Sequence, residues 1–318
     1  MAFSFRPAVR ENVGLILGLV GGTGSGKTYT AMRLASGIAN GRPFAVIDTE
    51  AGRSRHYASL FKFDAGDLRA PFRPDAYVEA IIAADQAGYP AIVVDSMSHE
   101  HAGDGGLLDW HEEEFKALGG TDKVKMTAWI KPKMAHKRMV QRLLQCRAHL
   151  ILCFRAEEKV SIEKDPATNK TVIVPKKSIN GIDGWIPIAE KTLPYELTAS
   201  FLFTADKPGF PKPIKMQEQH RALFPLDVAV TEESGKRLAE WASAGSSWMR
   251  DIETAPTLAA LVSVWKRIPA AEAKAPALKA AKDTRKAQLE ESEKAATAPA
   301  EPDAAEKAAI LAAEAQGA

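Results

Sequence analysis

Cysteine, net charge and long apolar runs are all scarce in this chain. Only two of its 318 residues are cysteines, Cys146 and Cys153. Neither belongs to a C-x-x-C pair and both fall in apolar segments, so a disulfide-stapled scaffold is excluded and two buried, inert thiols are expected. The formal net charge is only +2, from 42 basic and 40 acidic side chains. No global field draws the molecule to a polyanion, and any such site must be a local patch. No apolar run is long enough to span a bilayer. Arg6 and Arg10 precede VGLILGLV, a superficial likeness to a signal peptide. The run is short for that role, lacks a small-residue cleavage site and leads into a glycine-rich loop, so a cytoplasmic protein without a membrane role is expected.

What is present is a repeated alternation. The short runs GLILGLV, PFAVIDT, PAIVVDS and HLILCF are rich in Val, Ile and Leu and end near polar or small residues. Longer amphipathic stretches separate them. This is the signature of parallel strands buried on both faces with helices between, an α/β fold. TYTAMRLASGIANG predicts a helix ending at Gly41, and KMAHKRMVQRLLQCRA predicts another leading into HLILCF. Two hairpins are expected as additions. One pairs VSI with TVIV across D-P-A-T-N; the other pairs YELTASFLFTA with IKMQEQ.

From about Ser246 alanine and charge dominate, and Leu258, Leu261, Trp265 and Ile268 predict one apolar helical face. The chain therefore divides into a core over 1–245, a small helical appendage over 246–291 and a low-complexity tail over 292–318, expected to be disordered or marginally helical.

The most specific motif is Gly21-Gly22-Thr23-Gly24-Ser25-Gly26-Lys27-Thr28, followed by Tyr29. It matches G-x-x-x-x-G-K-[ST] and stands between a strand and a helix pattern, as a phosphate-binding loop requires. Glycines let the backbone curl until its N–H groups point at phosphate oxygens, and the helix start adds its positive end. Lys27 is expected to reach the β- and γ-phosphates and Thr28 to ligate Mg²⁺. Asp95, closing PAIVVDS, is the expected carboxylate of the Mg²⁺ shell; a helix-capping Asp is the plainer alternative.

FAVIDTEAGRSRHY, residues 44–57, ends an apolar run in two acids, Asp48 and Glu50. Hydrolysis needs a carboxylate near the γ-phosphate to orient and deprotonate water. Ser96 occupies the position after Asp95, so no acid adjoins it there, and Glu50 is the candidate.

With Thr23–Thr28, Asp48-Thr49-Glu50 and Ile92–Ser96 in place, the chain resembles the RecA-like ATPases, and among them the compact phage-encoded recombination ATPases. The resemblance covers roughly residues 13 to 225 and rests on these three motifs. It implies a RecA-like P-loop core, ATP and Mg²⁺ as cofactors, Glu50 as general base, Asp48 as a structural acid, and homo-oligomers. It also implies action on single-stranded DNA, a recombination or replication partner protein, and the host cytoplasm. About a dozen residues precede the first strand, so a RecA-type N-terminal polymerisation module is not expected. Arg155 stands where the family often carries a polar sensor; it either senses the γ-phosphate or pairs with Glu157 or Glu158.

The family places DNA-binding loops after the second acid strand and after the sensor strand. The first insert here carries Lys123, Lys125, Lys131, Lys133, Lys137 and Arg138 around Trp129; the second carries Lys159, Lys164, Lys170, Lys176 and Lys177. Such segments suit a channel tracking a phosphate backbone, with Trp129 stacking on a base; the plainer reading is a solvated surface and a core tryptophan. His99, His101 and His111 match no zinc spacing and read as polar loop positions. Lys191, Lys207, Lys212 and Lys215 are candidates for a cation supplied to a neighbouring subunit. Asn169-Lys170-Thr171-Val172 lacks the Asp that guanine recognition needs. Arg53, Arg55 and Arg69 could form only a weak kinase lid. A kinase and a nucleotide-gated partner-binding module remain the alternatives, and a hexameric helicase shares the Glu50 position.

Overall fold

The computed structural model describes residues 14–164, 169–176, 184–270 and 272–297. The first strand, β1 (Ile16–Gly21), is buried at every residue and runs into the glycine loop, after which α1 (Lys27–Ala39) begins. The helix ends at Ala39, two residues before Gly41, because Asn40 takes the left-handed conformation, its N–H bonding back to Ser36 O. β2 (Phe44–Asp48), the edge strand β3 (Phe63–Asp67), α2 (Pro74–Gln86) and β4 (Ala91–Asp95) follow. Next come α3 (Ser98–Ala102), α4 (Leu107–Ala117), α5 (Ile130–Leu143) and β5 (His149–Glu158).

The sheet order is β3-β2-β4-β5-β1 and then β9 (Ala199–Phe203) and β10 (Lys212–Lys215). Every pairing along it is parallel except β9 with β10, which forms the second expected hairpin. The first hairpin is a separate ribbon of β6 (Val160–Lys164) and β7 (Thr171–Pro175), with Ile162 opposite Ile173. Most of its D-P-A-T-N turn, and Lys177, lie outside the described residues. β8 (Trp185–Pro187) pairs antiparallel with the extension of β5, and the one-turn α6 (Leu193–Glu196) leads into β9.

Side chains of consecutive strand residues point to opposite faces, and both faces are covered. Leu17, Leu19, Phe44, Val46, Ile151 and Phe201 pack with α1 and the start of α7 (Glu232–Glu253). Ile16, Val20, Ile47, Val94, Leu152 and Phe154 pack on the other face with Tyr77 and Ile81 of α2 and Met139 and Leu143 of α5. This explains why the strands read as unbroken apolar runs.

The chain forms two compact units, whose described residues fall within 14–242 and within 243–297; the division falls within α7. In the second, α8 (Leu258–Arg267) is capped by the Thr257 side chain, which accepts the Ala260 N–H. Leu261, Val264 and Ile268 pack with Leu278 and Leu289 of α9 (Pro276–Thr297), and Leu258 and Trp265 are partly buried against them. Residues 298–318 lie outside the described residues. Among the described residues no helix is long and apolar enough to cross a membrane.

Candidate functional site

Parallel register brings the ends of four strands to one edge. Asp48 pairs with Asp95, Asp95 with Cys153, and Gly21 with Arg155. Open parallel sheets bind ligands beyond these carboxyl ends. A cavity of about 630 Å³ occupies this edge, and its wall includes every residue from Gly21 to Tyr29 together with Glu50, Asp95 and Arg155. All the residues expected to meet nucleotide or metal, or to act in hydrolysis, thus share one cavity. Sequence reasoning missed Tyr57 and Ile188 and gave Arg53 only a weak part; all three line the cavity. Tyr57 and Tyr29, both in its wall, form a ring pair with centroids 6.0 Å apart. RSRHY is a 3-10 turn, Arg53–Tyr57, that folds back toward the loop, which residue spacing alone did not reveal.

In the glycine loop, Gly24 and Gly26 have φ of 73° and 79°, a conformation that side chains strain to adopt. The Ser25 hydroxyl donates to Gly22 O at 2.8 Å and holds the curl. Lys27 Nζ donates to Gly22 O at 2.9 Å, so the ammonium lies across its own loop. Burial lowers the Lys27 pKa, against the raising effect of the Asp95 and Glu50 charges. No acid sits in the first turn of α1, which leaves its positive end for an anion.

Asp95 is 8% exposed, and its Oδ2 accepts a hydrogen bond from the Thr28 hydroxyl at 2.5 Å. Burial raises the Asp95 pKa, with the Thr28 bond opposing. A buried carboxylate and a hydroxyl, oxygen donors only, fit a hard divalent cation such as Mg²⁺; its charge would reverse the burial effect.

The two acids of FAVIDTE separate cleanly. Asp48, 2% exposed, accepts the backbone N–H groups of Glu50, Gly52 and Ser54 at 2.7, 3.2 and 2.8 Å. Burial pushes its pKa up, but these bonds prevail and the net shift is down. It holds the turn that aims Glu50 into the cavity. Glu50 Oε1 accepts from Arg155 Nε at 3.1 Å and Nη2 at 2.6 Å, while Oε2 accepts from Arg53 Nη1 at 3.1 Å. Burial raises the Glu50 pKa, but the Arg155 bond and charge, helped by Arg53, carry it below the ordinary range. Arg155 therefore meets neither Glu157 nor Glu158; Glu157 pairs with Lys159. β5 presents position 155 on the edge beside Gly21, and Glu50 is the acid across that edge.

Two strand ends are wired together behind the cavity. The Thr49 hydroxyl accepts Ser96 N–H at 2.6 Å and lies 2.7 Å from His99 Nδ1, and the Tyr77 hydroxyl donates to Ser96 O. The histidines are not loop residues, which corrects the sequence reading. His99 and His101 belong to α3, His111 to α4. SHEHA is too polar to read as a packed helix, but distant partners bury it: Phe72 stacks on His99, and His136 bonds the buried Glu100 at 2.9 Å. Among the described residues no metal-binding group of His, Cys, Asp and Glu is found.

None of the basic-insert residues lines this cavity. Lys123, Lys125, Lys164 and Lys170 are exposed, and Lys131 pairs with Glu114 at 2.8 Å. Trp129 is neither in the core nor free, since its ring stacks on His111 at a 4.2 Å centroid distance. Of the candidate trans-acting lysines, Lys207 lies over Phe210 and Lys215 donates to Tyr195 O.

A family model described as an AAA domain matches residues 14–188, from the first strand past the end of β8. No curated protein matches the chain.

Proposed function

This chain belongs to the AAA domain family, whose domain is ATPase-like, and from that premise we propose that it is a Mg²⁺-dependent ATPase coupled to single-stranded DNA. The pathway we propose is recombination, replication or repair of phage type, carried out by a homo-oligomer with a partner protein. The observation that carries the ATPase reading is the single cavity that gathers Gly21–Tyr29, Glu50, Asp95 and Arg155.

In this reading the loop N–H groups and Lys27 hold the β- and γ-phosphates, and Tyr29 and Tyr57 border the base. Thr28 and Asp95 would hold Mg²⁺, which supplies charge neutralisation at the phosphates. Glu50 takes the proton of the attacking water. Arg155 lies beside Gly21 and Glu50, within reach of the terminal phosphate. A γ-phosphate competing for Arg155 would release Glu50 to act as base. The exposed lysines of the two inserts support the DNA reading, because nearly neutral overall charge leaves them as local patches.

A second reading, a nucleotide-gated binding module with slow turnover, is favoured by the clamp of two arginines on Glu50. Phosphate release measured with and without single-stranded DNA, at low and high salt, separates the readings. Stimulation that fades with salt is expected. DNA-independent turnover would overturn the DNA coupling, and binding of ATP without turnover would favour the gated module.

A further inference from the structure

The first turn of α3 reaches both partners of the Glu50–Arg155 pair from behind the cavity. Ser98 and His99 open that helix, and neither lines the cavity. The Ser98 hydroxyl accepts the Arg155 backbone N–H at 2.9 Å. His99 Nδ1 lies 2.7 Å from the hydroxyl of Thr49, the residue before Glu50. Burial, and after it the Arg155 charge, lower the His99 pKa, so the ring is neutral near neutral pH and its Nδ1 can accept the Thr49 proton. Thr49 is held from two further sides. Its N–H donates to Asp95 O at 2.8 Å, and its hydroxyl accepts the Ser96 N–H at 2.6 Å. Thr49, Ser96 and Ser98 are all buried, so water does not replace a bond lost among them. The His99 ring is itself pinned. Phe72 stacks on it at a 5.0 Å centroid distance, and a Cβ on Gly103 would stand 2.7 Å from the His99 Cβ. Asp48 fixes the backbone from Glu50 onward, and Thr49 fixes it from behind.

We propose that His99 is a positioning residue for hydrolysis: through the Thr49 hydroxyl it sets where Glu50 meets the attacking water, while Ser98 beside it fixes the Arg155 backbone. This rests on the ATPase reading above and adds to it the residue that aims the base. No atom of His99 meets substrate. A misplacement of about 1 Å far from the chemistry can cost about 10²-fold in rate, which is how a side chain outside the cavity acts on turnover. A plain packing role for His99 would change stability and leave the rate of each folded molecule alone.

The test compares ATP turnover and ATP binding by the full chain in His99→Asn and His99→Gln, with melting by circular dichroism reporting the fold. Asn places a polar atom near the Nδ1 position, and Gln places one near the Nε2 position. His99→Asn is expected to keep kcat within about threefold of wild type, and His99→Gln to lose about tenfold or more. KM and ATP affinity should stay within about twofold in both, as for an interaction that matters only in the transition state. Thr49→Val removes the hydroxyl and should lose as much as His99→Gln, and the double variant should lose no more than the worse single one. Equal kcat in His99→Asn and His99→Gln, additive losses in the double variant, or a loss confined to KM overturns the positioning role and leaves the ATPase reading standing. A wild-type chain without ATP turnover, or turnover that Glu50→Gln does not reduce, overturns both.

Discussion

Arg155 Nη2 lies 2.6 Å from Glu50 Oε1, although 105 positions separate the two residues in the chain. One ends the second strand's turn and the other lies along the fifth strand. Their contact joins the proposed general base to a second cation, besides Lys27, in the wall of the same cavity. The pair is partly exposed, so it contributes little to stability. Its consequence is for the acid, which it holds ionised and weakly basic.

Arg155→Ala should therefore move the acidic limb of the pH–rate profile for ATP hydrolysis upward. Without Arg155, burial dominates at Glu50 and its pKa rises. A carboxylate base works above its pKa, so the variant should lose turnover at mildly acid pH where the wild type retains it. An unmoved limb would mean that Glu50 is not the titrating group.

Glu50→Gln keeps the shape of the side chain and removes the base. ATP binding should stay within about threefold of wild type, while turnover falls by about 10²–10⁴, the usual effect of losing a general base. Equilibrium binding and phosphate release, measured together, check this. Wild-type turnover in the variant would remove Glu50 from the mechanism.

His149 sets an acid limit on stability. Its Nδ1 accepts the Leu15 N–H at 3.3 Å, and burial holds its pKa down to about 4. The unfolded residue titrates near about 6.5. As pH falls from there toward about 4, the unfolded chain takes up a proton that the fold refuses, so stability falls and then levels off. The expected loss is about 1–3 kcal/mol. Urea midpoints at neutral and acid pH should show a smaller acid loss in His149→Gln.

Gly37→Ala should destabilise the core by about 3 kcal/mol. In an exposed helix this change would help by about 1 kcal/mol. Here a Cβ would stand 1.9 Å from the Glu232 carbonyl oxygen, and one on Gly235 would stand 2.2 Å from that of Leu34. The glycines let α1 and the start of α7 meet backbone to backbone. A raised urea midpoint would contradict this packing.

The glycine loop, the strand–helix alternation and both hairpins were legible because each rests on local chemistry. Left-handed glycines, two-faced burial and turn residues leave marks within a few positions. The helical α3 was not legible: its polar SHEHA is buried only because Phe72 and His136 arrive from elsewhere. Lys131 and Trp129 likewise read as free for DNA, and the fold gives one to Glu114 and stacks the other on His111.

The sequence by itself determined that a phosphate loop, a strand-end aspartate and an Asp-x-Glu turn exist in this chain. It also made Glu50 the candidate for chemistry, since Ser96 left no carboxylate beside Asp95. Which cation holds Glu50 was decided only by tertiary structure. Parallel pairing sets Gly21 against Arg155 and Asp48 against Asp95, and that register, summed over the whole sheet, cannot be read from any one strand.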